Sequence, residues 1–355
     1  MALSVNQKAK LKIIRQFILA GMFLGIVYIF FEHGRSDAWH YILGAVVGSI
    51  LGLLIAILEL FLFARGAKKL KFIWLLILRG LLFFILITAI IFNGTVITQM
   101  ILKNTGYVET INAEHIQLYL SDNRFLNAVV YTLIFAFAVN FVRMLSRKMG
   151  QGMLVSYILG TYYTPVHQAR IFMFVKLVDS KKIVHELGPH KLHSFLNDLF
   201  YYLTVPVVRH SGIIYEYIEA LMVISWAMDK GLKNASCIRV FFDLQNAINL
   251  NKEKYLEKYG FVPHVRASLH TGSVVRAEIG EVKTQIVFHG DTMNTTARIL
   301  DKCKELKMGL LASDQLIRMI GLPRIYNKKS VGEIELRGKN EDIKLFEIID
   351  NEGEN

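Results

Sequence analysis

The segment HGDTMNTTARILDKC, residues 289–303, sets Asn294 and Arg298 four positions apart. On a helix that spacing puts both side chains on one face. An amide beside a guanidinium suits an oxyanion or a phosphate, because one gives a directional donor and the other a planar fork of N–H groups with a fixed charge. The same pair on an exposed face is commonly only solvated, so the spacing by itself leaves both readings open. The two cysteines, Cys237 and Cys303, lack a Cys-x-x-Cys spacing and read as buried, reduced and inert thiols.

Holding such a pair in place takes a sheet and helices, and the pattern for both begins near Arg170. RIFMFVKLV reads as a strand, and IVHELGPHKLHSFLNDLFYYLTVPVVRH carries apolar residues at helical period. A helix is expected over 238–259, strands in HVRASLHTGSVVRAEIG and TQIVFHG, and a helix over 293–305. Further strands are expected in GLLAS, VGEIELRG and IKLFEII. Strands adjacent in sequence with helices between the pairs predict an α+β sandwich on an antiparallel-rich sheet. One hairpin is out of pattern. IIYEYIEALMVISWAM, residues 213–228, reads as two apolar strands meeting at Glu219-Ala220. Tight hairpins favour Asn-Gly, Asp-Gly or Gly-X, which accept positive φ at little cost, and Glu-Ala does not.

The first half of the chain is different. Of 355 residues, 53% are hydrophobic, and four apolar runs, 13–31, 41–63, 72–92 and 125–142, approach the ~20 residues of a membrane-spanning helix. A cleaved signal peptide competes for the first run, but no small-residue cleavage site follows it. Lys8, Lys10, Lys12 and Arg15 precede the first run; Arg65, Lys68, Lys69 and Lys71 separate the second and third; Arg143, Arg147 and Lys148 follow the fourth. The positive-inside rule then puts both termini in the cytoplasm of an integral plasma (inner) membrane protein. The net charge of +12 is in part this topological signal and is not read as a nucleic-acid footprint. Glu59 and Arg79 fall within the runs, a costly placement, and read as structural partners or, less simply, as a ligand-sensing pair. The expected organisation is a four-span membrane domain over 1–145, a coupling segment over 146–168 in which Pro165 argues against a continuous helix, and an α+β domain over 169–355.

ASLHTGSVVRAEIG followed by HGDTMNTTARI, then VGEIELRGK ahead of IKLFEI, resembles in order and spacing the catalytic domain of the class III nucleotidyl (adenylate and guanylate) cyclases. RIFMFVKLVDSKKIVHELG is similar to that family's first strand and helix, and SGIIYEYIEALMVISW to its Gly-Asp-tipped hairpin, so the likeness runs from about residue 166 to 350. It implies cyclisation of a nucleoside triphosphate: the ribose 3'-hydroxyl attacks the α-phosphate and pyrophosphate leaves. In the family two divalent ions, Mg or Mn, are held by two Asp, one ending the first strand and one at the hairpin tip. An Asn and an Arg orient the ribose and neutralise the transition state, and these correspond to Asn294 and Arg298. A base-contacting Lys corresponds to Lys283 and a phosphate-binding Lys to Lys339; each would otherwise count as surface charge. The metal positions correspond to Lys176 and Ala220, with Glu219 where the family has Gly, so the odd hairpin tip is a lost metal site. Asp179 is a poor stand-in, since three steps along a strand reverse the face. Val287 stands where a second base-reading group is common, so preference for adenine rests on Lys283.

Family sites lie between two domains packed head to tail, one giving the Asp pair and the other the remaining groups. The resemblance therefore implies a membrane-anchored adenylate cyclase homologue, ATP to cAMP and pyrophosphate, that supplies Lys283, Asn294, Arg298 and Lys339 to a site completed by an Asp-bearing chain. Mg or Mn is expected only where that partner brings the Asp pair. Expected partners are ATP or a related nucleotide, a homodimeric or heterodimeric class III domain and membrane lipid, with no nucleic acid. The alternatives are a catalytically inactive pseudo-cyclase acting as nucleotide sensor or signalling scaffold, and a self-sufficient cyclase with unconventional ligands.

Overall fold

A computed structural model describes residues 5–33, 38–61, 72–114, 116, 118, 123–149, 153–161, 164–281, 284–334 and 342–351. The chain forms two units, 1–145 and 146–355. In the first, helix α1 (Val5–His33) packs on helix α2 (Ala38–Phe61) through glycines. A Cβ added to Gly21 or Gly25 would strike the carbonyl oxygens of Gly48 and Gly44, and one added to Gly52 that of Phe17. Where surrounding lipid is as apolar as the side chains, helices associate through such close backbone approach. The four-residue spacing of these glycines is visible in the sequence and marks a feature absent from the composition argument above. Phe17, Leu51, Ile55, Ala56 and, from helix α3 (Phe72–Lys103), Phe83 form the buried centre of this unit.

Helices occupy all four apolar runs, with α4 (Tyr107–Asn112) and α5 (Asn123–Met149) completing the unit. Among the described residues, two stretches, Ile13–Phe30 and Ala38–Leu58, are long and apolar enough to cross a membrane; α3 holds a shorter one, Gly80–Gly94. The side chains of Glu59 and Arg79 lie outside the described residues.

In the second unit a short helix α6 (Met153–Ile158) follows the last turn of α5, and Pro165 stands immediately before strand β1 (Val166–Leu177), so no helix runs on into the sheet. Next come helix α7 (Ser180–Arg209), strands β2 (Ile213–Ile218) and β3 (Leu221–Ala227), and helix α8 (Met228–Leu232). The expected helix over 238–259 is two, α9 (Ser236–Asn249) and α10 (Lys252–Tyr259). Strands β4 (Val265–Ile279) and β5 (Gln285–His289), helix α11 (Asp291–Glu305), strand β6 (Leu310–Ser313), helix α12 (Asp314–Met319) and strands β7 (Tyr326–Ile334) and β8 (Ile343–Asp350) finish the chain. α7 breaks at Gly188, with φ of 66°, ahead of Pro189, so its sequence serves as two helical pieces.

The sheet runs β2-β3-β1-β4-β6-β8-β7 with β5 added to β4, and every pairing is antiparallel except β4 with β6. Strand β1 is central and buried on both faces, which explains its unbroken apolar run. Ile171, Met173, Val175 and Leu177 enter the large core with Phe195, Leu199 and Leu203 of α7 and Ile238, Phe241 and Leu244 of α9. Phe172 and Phe174 face the other way, with Val274, Phe288 and Leu300 of α11. Each fully buried Phe there contributes roughly 1.5–3 kcal/mol over exposure.

Candidate functional site

α11 is fixed from below. Thr292, Thr295, Thr296, Ile299, Leu300 and Cys303 are its buried side. The Thr292 hydroxyl donates to the Ser273 carbonyl at 2.8 Å, and Ser268 on β4 donates to the Thr296 carbonyl at 2.8 Å. Any Cβ at position 272 would run into the Thr292 side chain, so glycine lets the helix sit directly on β4. Asn294 points away from that side and is exposed; Arg298 is half-buried. The Arg298 Nη1 is buried and has no hydrogen-bond partner among the described residues. A guanidinium held on a packed helix with a donor left over is a preorganised cation of the kind that stabilises developing negative charge.

Lys283 and Lys339 lie outside the described residues. Val287 is buried in β5, opposite Ala277, and offers no polar group.

The other assigned positions meet where β1 ends. The Leu177 N–H donates to the Ala220 carbonyl at 3.1 Å, which ties the hairpin tip to the end of the central strand. The backbones adjoin, but the side chains have different surroundings. Lys176 is exposed on the Phe172–Phe174 face, flanked by Leu221 on β3 and Arg266 on β4, whereas the Ala220 methyl belongs to the large core. Glu219 has φ of 51°, so this carboxylate-bearing residue takes the left-handed conformation that glycine adopts without cost. Contrary to the expectation of a strand position, Asp179 lies past the end of β1 as the residue preceding α7, with φ of 53° and no side-chain capping bond.

Back along β1, away from the corner, lies a polar and aromatic cluster that the sequence did not single out. Arg170, 5% exposed in the middle of β1, donates to Ser225 Oγ at 3.0 Å and stacks 5.0 Å from the Phe288 ring centroid. Arg276 approaches the same ring at 5.4 Å, and the Phe288 N–H donates to the Tyr215 hydroxyl at 3.4 Å. Burial pushes that hydroxyl's pKa up. The cluster links β2, β1 and β5, and β5 leads directly into α11. Only register reveals it, since Arg170, Tyr215 and Phe288 are remote in sequence.

Residues 161–349 match the family model of the adenylate and guanylate cyclase catalytic domain. This chain belongs to the adenylate and guanylate cyclase family. Adenylate cyclase 2 of Rhizobium meliloti (strain 1021) is 32% identical over 254 residues, 70% of this chain and 70% of that protein. Only 195 residues (355 − 160) run from 161 to the end, so this likeness reaches back into the segment before the cyclase domain. Two structures of a bacterial light-regulated adenylyl cyclase share the fold. One has a TM-score of 0.51 at 15% identity, over 67% of this chain and 66% of that one; the other 0.50 at 15%, over 62% and 63%.

For a cyclase, the donor set at the corner is the wrong one for the two divalent ions that the family resemblance implies. An exposed ammonium, a cross-strand guanidinium and a methyl group stand there, and no group of three His, Cys, Asp or Glu gathers anywhere among the described residues. A single ammonium opposes a divalent ion by roughly 8 kcal/mol at 4 Å and an effective dielectric of about 20.

Proposed function

We propose that this chain is a membrane-anchored adenylate cyclase subunit that contributes one half of a shared site and relies on a second, Asp-bearing cyclase domain for the metal-binding half. Four spans and a cytoplasmic cyclase domain follow from the distribution of Lys and Arg around the apolar runs. The carrying observation is the contrast between α11, with the exposed Asn294 and an Arg298 Nη1 that has no partner among the described residues, and the β1 corner, with Lys176 and Ala220 where acids are needed.

In the shared site, Asn294 orients the ribose of ATP and Arg298 meets the charge that grows as the 3'-oxygen bonds to the α-phosphorus and the bond to pyrophosphate breaks. Lys283 and Lys339 contact base and phosphates. The hydroxyl's proton and the divalent ions are the partner's task. The competing reading, a sensor or scaffold without turnover, draws on the same corner but gives no use for a donor left unpaired on a rigid helix.

The test is complementation. A partner cyclase domain keeps its own Asp pair but has its helix Asn and Arg replaced, which silences its homodimer. Mixed with this chain in detergent with Mg or Mn, it should yield cAMP, and neither protein should do so alone. A heterodimer that forms and stays silent removes the half-site reading in favour of the sensor.

A further inference from the structure

Lys176 and Arg266 are direct cross-strand partners on β1 and β4. Such partners leave the sheet on the same face with Cβ atoms about 5 Å apart, where like charges are unfavourable. Among the described residues neither forms an ion pair within 4.0 Å, and the Arg266 Nη1 is buried without a hydrogen-bond partner. The acids in the neighbourhood are otherwise placed. Asp179 and Glu219 close no salt bridge to either cation, and Glu347 on β8, which opposes Arg266 in its effect on the Cys303 thiol, closes none to Arg266. On its other side Lys176 meets Leu221. Directly after β1, α7 starts with Lys181 and Lys182 in its first turn, Lys182 being paired with Glu186 and Asp179 preceding both without a side-chain capping bond.

We propose that this corner is a metal-independent polyphosphate site: Lys176 and Arg266 together take the diphosphate part of pyrophosphate or of a nucleoside triphosphate, as the free anion. The ammonium and guanidinium supply the positive charge that divalent ions would bring, and they favour the free anion over its metal complex, whose net negative charge is smaller. The proposal rests on the reading above for the identity of the corner. It extends that reading to the second site of a head-to-tail pair, which becomes a non-catalytic anion site beside the catalytic one.

Isothermal titration of the full chain in detergent micelles with sodium pyrophosphate in EDTA tests it, with ATP in EDTA as the second arm and excess Mg added to each. Both anions should bind in EDTA, more weakly as salt is raised, and Mg should weaken each by withdrawing the free anion. Lys176→Met should weaken pyrophosphate by about tenfold, the order of one charge-assisted hydrogen bond. Lys176→Arg should retain binding, and Lys176→Asp should abolish it in EDTA. Lys176 is exposed, so these variants should keep the wild-type melting midpoint, and Arg266→Gln adds a second route to the same loss. Binding only in the presence of Mg, or unchanged affinity in Lys176→Met, overturns the proposal; so does ATP binding without pyrophosphate binding, which would assign affinity to base and ribose. No turnover or partner enters this measurement, so a silent heterodimer leaves it standing, and its own failure leaves complementation untouched.

Discussion

Two parts of the cyclase domain, α11 and the corner where β1 meets the β2–β3 tip, carry assigned chemistry and differ in how they are held. α11 has a fully packed underside, threonines bonded to β4 and an outer face with Asn294 exposed. The corner keeps its backbone frame, with the Leu177–Ala220 hydrogen bond and a left-handed residue on either side, yet its side chains are an ammonium and a methyl. The lesson is that a backbone corner is maintained by strand pairing and core packing, which do not need the ligand groups, so ligands can be exchanged for other chemistry while the frame stays. Groups on α11 have no such separation, because the packing that seats the helix also aims Asn294 and Arg298.

The largest effect should come from the α11 side. In the mixed assay, Asn294→Ala or Arg298→Ala in this chain is expected to lower cAMP formation by roughly a hundredfold or more, the scale of one lost transition-state donor. Unchanged rates for both would place the working groups elsewhere and dissolve the contrast. Sharpening it from the other side, Lys176→Asp with Ala220→Asp should turn a corner that excludes Mn into one that binds it. Exchanging an ammonium for a carboxylate changes the interaction with a divalent ion by roughly 16 kcal/mol at 4 Å and an effective dielectric of about 20, before solvation offsets it. Electron paramagnetic resonance of free Mn reads this directly, and a double variant that melts like wild type yet leaves Mn free refutes the assignment of the corner. The position 220 carboxylate enters at the margin of the core, where Ala220 is 7% exposed, so some loss of stability accompanies it.

A smaller effect is expected at the tip itself. Glu219→Gly should stabilise the domain by about 1 kcal/mol, because glycine adopts the left-handed conformation without the penalty of a Cβ. A raised urea midpoint at constant slope is the expected record, and a lowered midpoint would mean that the Glu219 side chain is held by contacts. The smallest effect near neutrality concerns Cys303 on the buried side of α11 and Cys237 in α9. Burial raises both thiols from 9.0 to about 12. Since the folded state holds these protons longer than the unfolded chain, their contribution to stability is whole below pH ~9 and falls away as pH rises towards 12. Neither should react with a maleimide at pH 7 while the protein is folded; rapid labelling of Cys303 would show that α11 opens away from β4.

Much of the fold was legible before any coordinates. Period-two and helical apolar patterns located β1, the β2–β3 hairpin, β4, β5 and α11 to within a few residues, because each buries a face whose spacing is written locally. Boundaries failed where geometry depends on a partner. The run over 238–259 splits at residues 250–251, and Asp179 lies beyond the end of the strand on which its exclusion had been argued. The glycine contact of α1 with α2 was present in the sequence as a spacing, but only the pairing of two helices shows which glycines face each other.

By itself the sequence determined the classes of chemistry on offer: an amide and a guanidinium one helical turn apart, a lysine and an alanine at the positions where the family resemblance implies acids, and a hairpin tip lacking glycine. These follow from residue identity and short-range spacing, which the chain carries without folding. Tertiary structure alone decided that Lys176 faces Arg266, that Arg298 keeps a buried donor without a partner among the described residues, and that Ala220 turns into the core while Lys176 turns to solvent. Each of those depends on strand register or on helix-on-sheet packing, in which a shift of one residue reverses every face, and no local stretch of sequence encodes the register of a strand that lies nearly a hundred residues away.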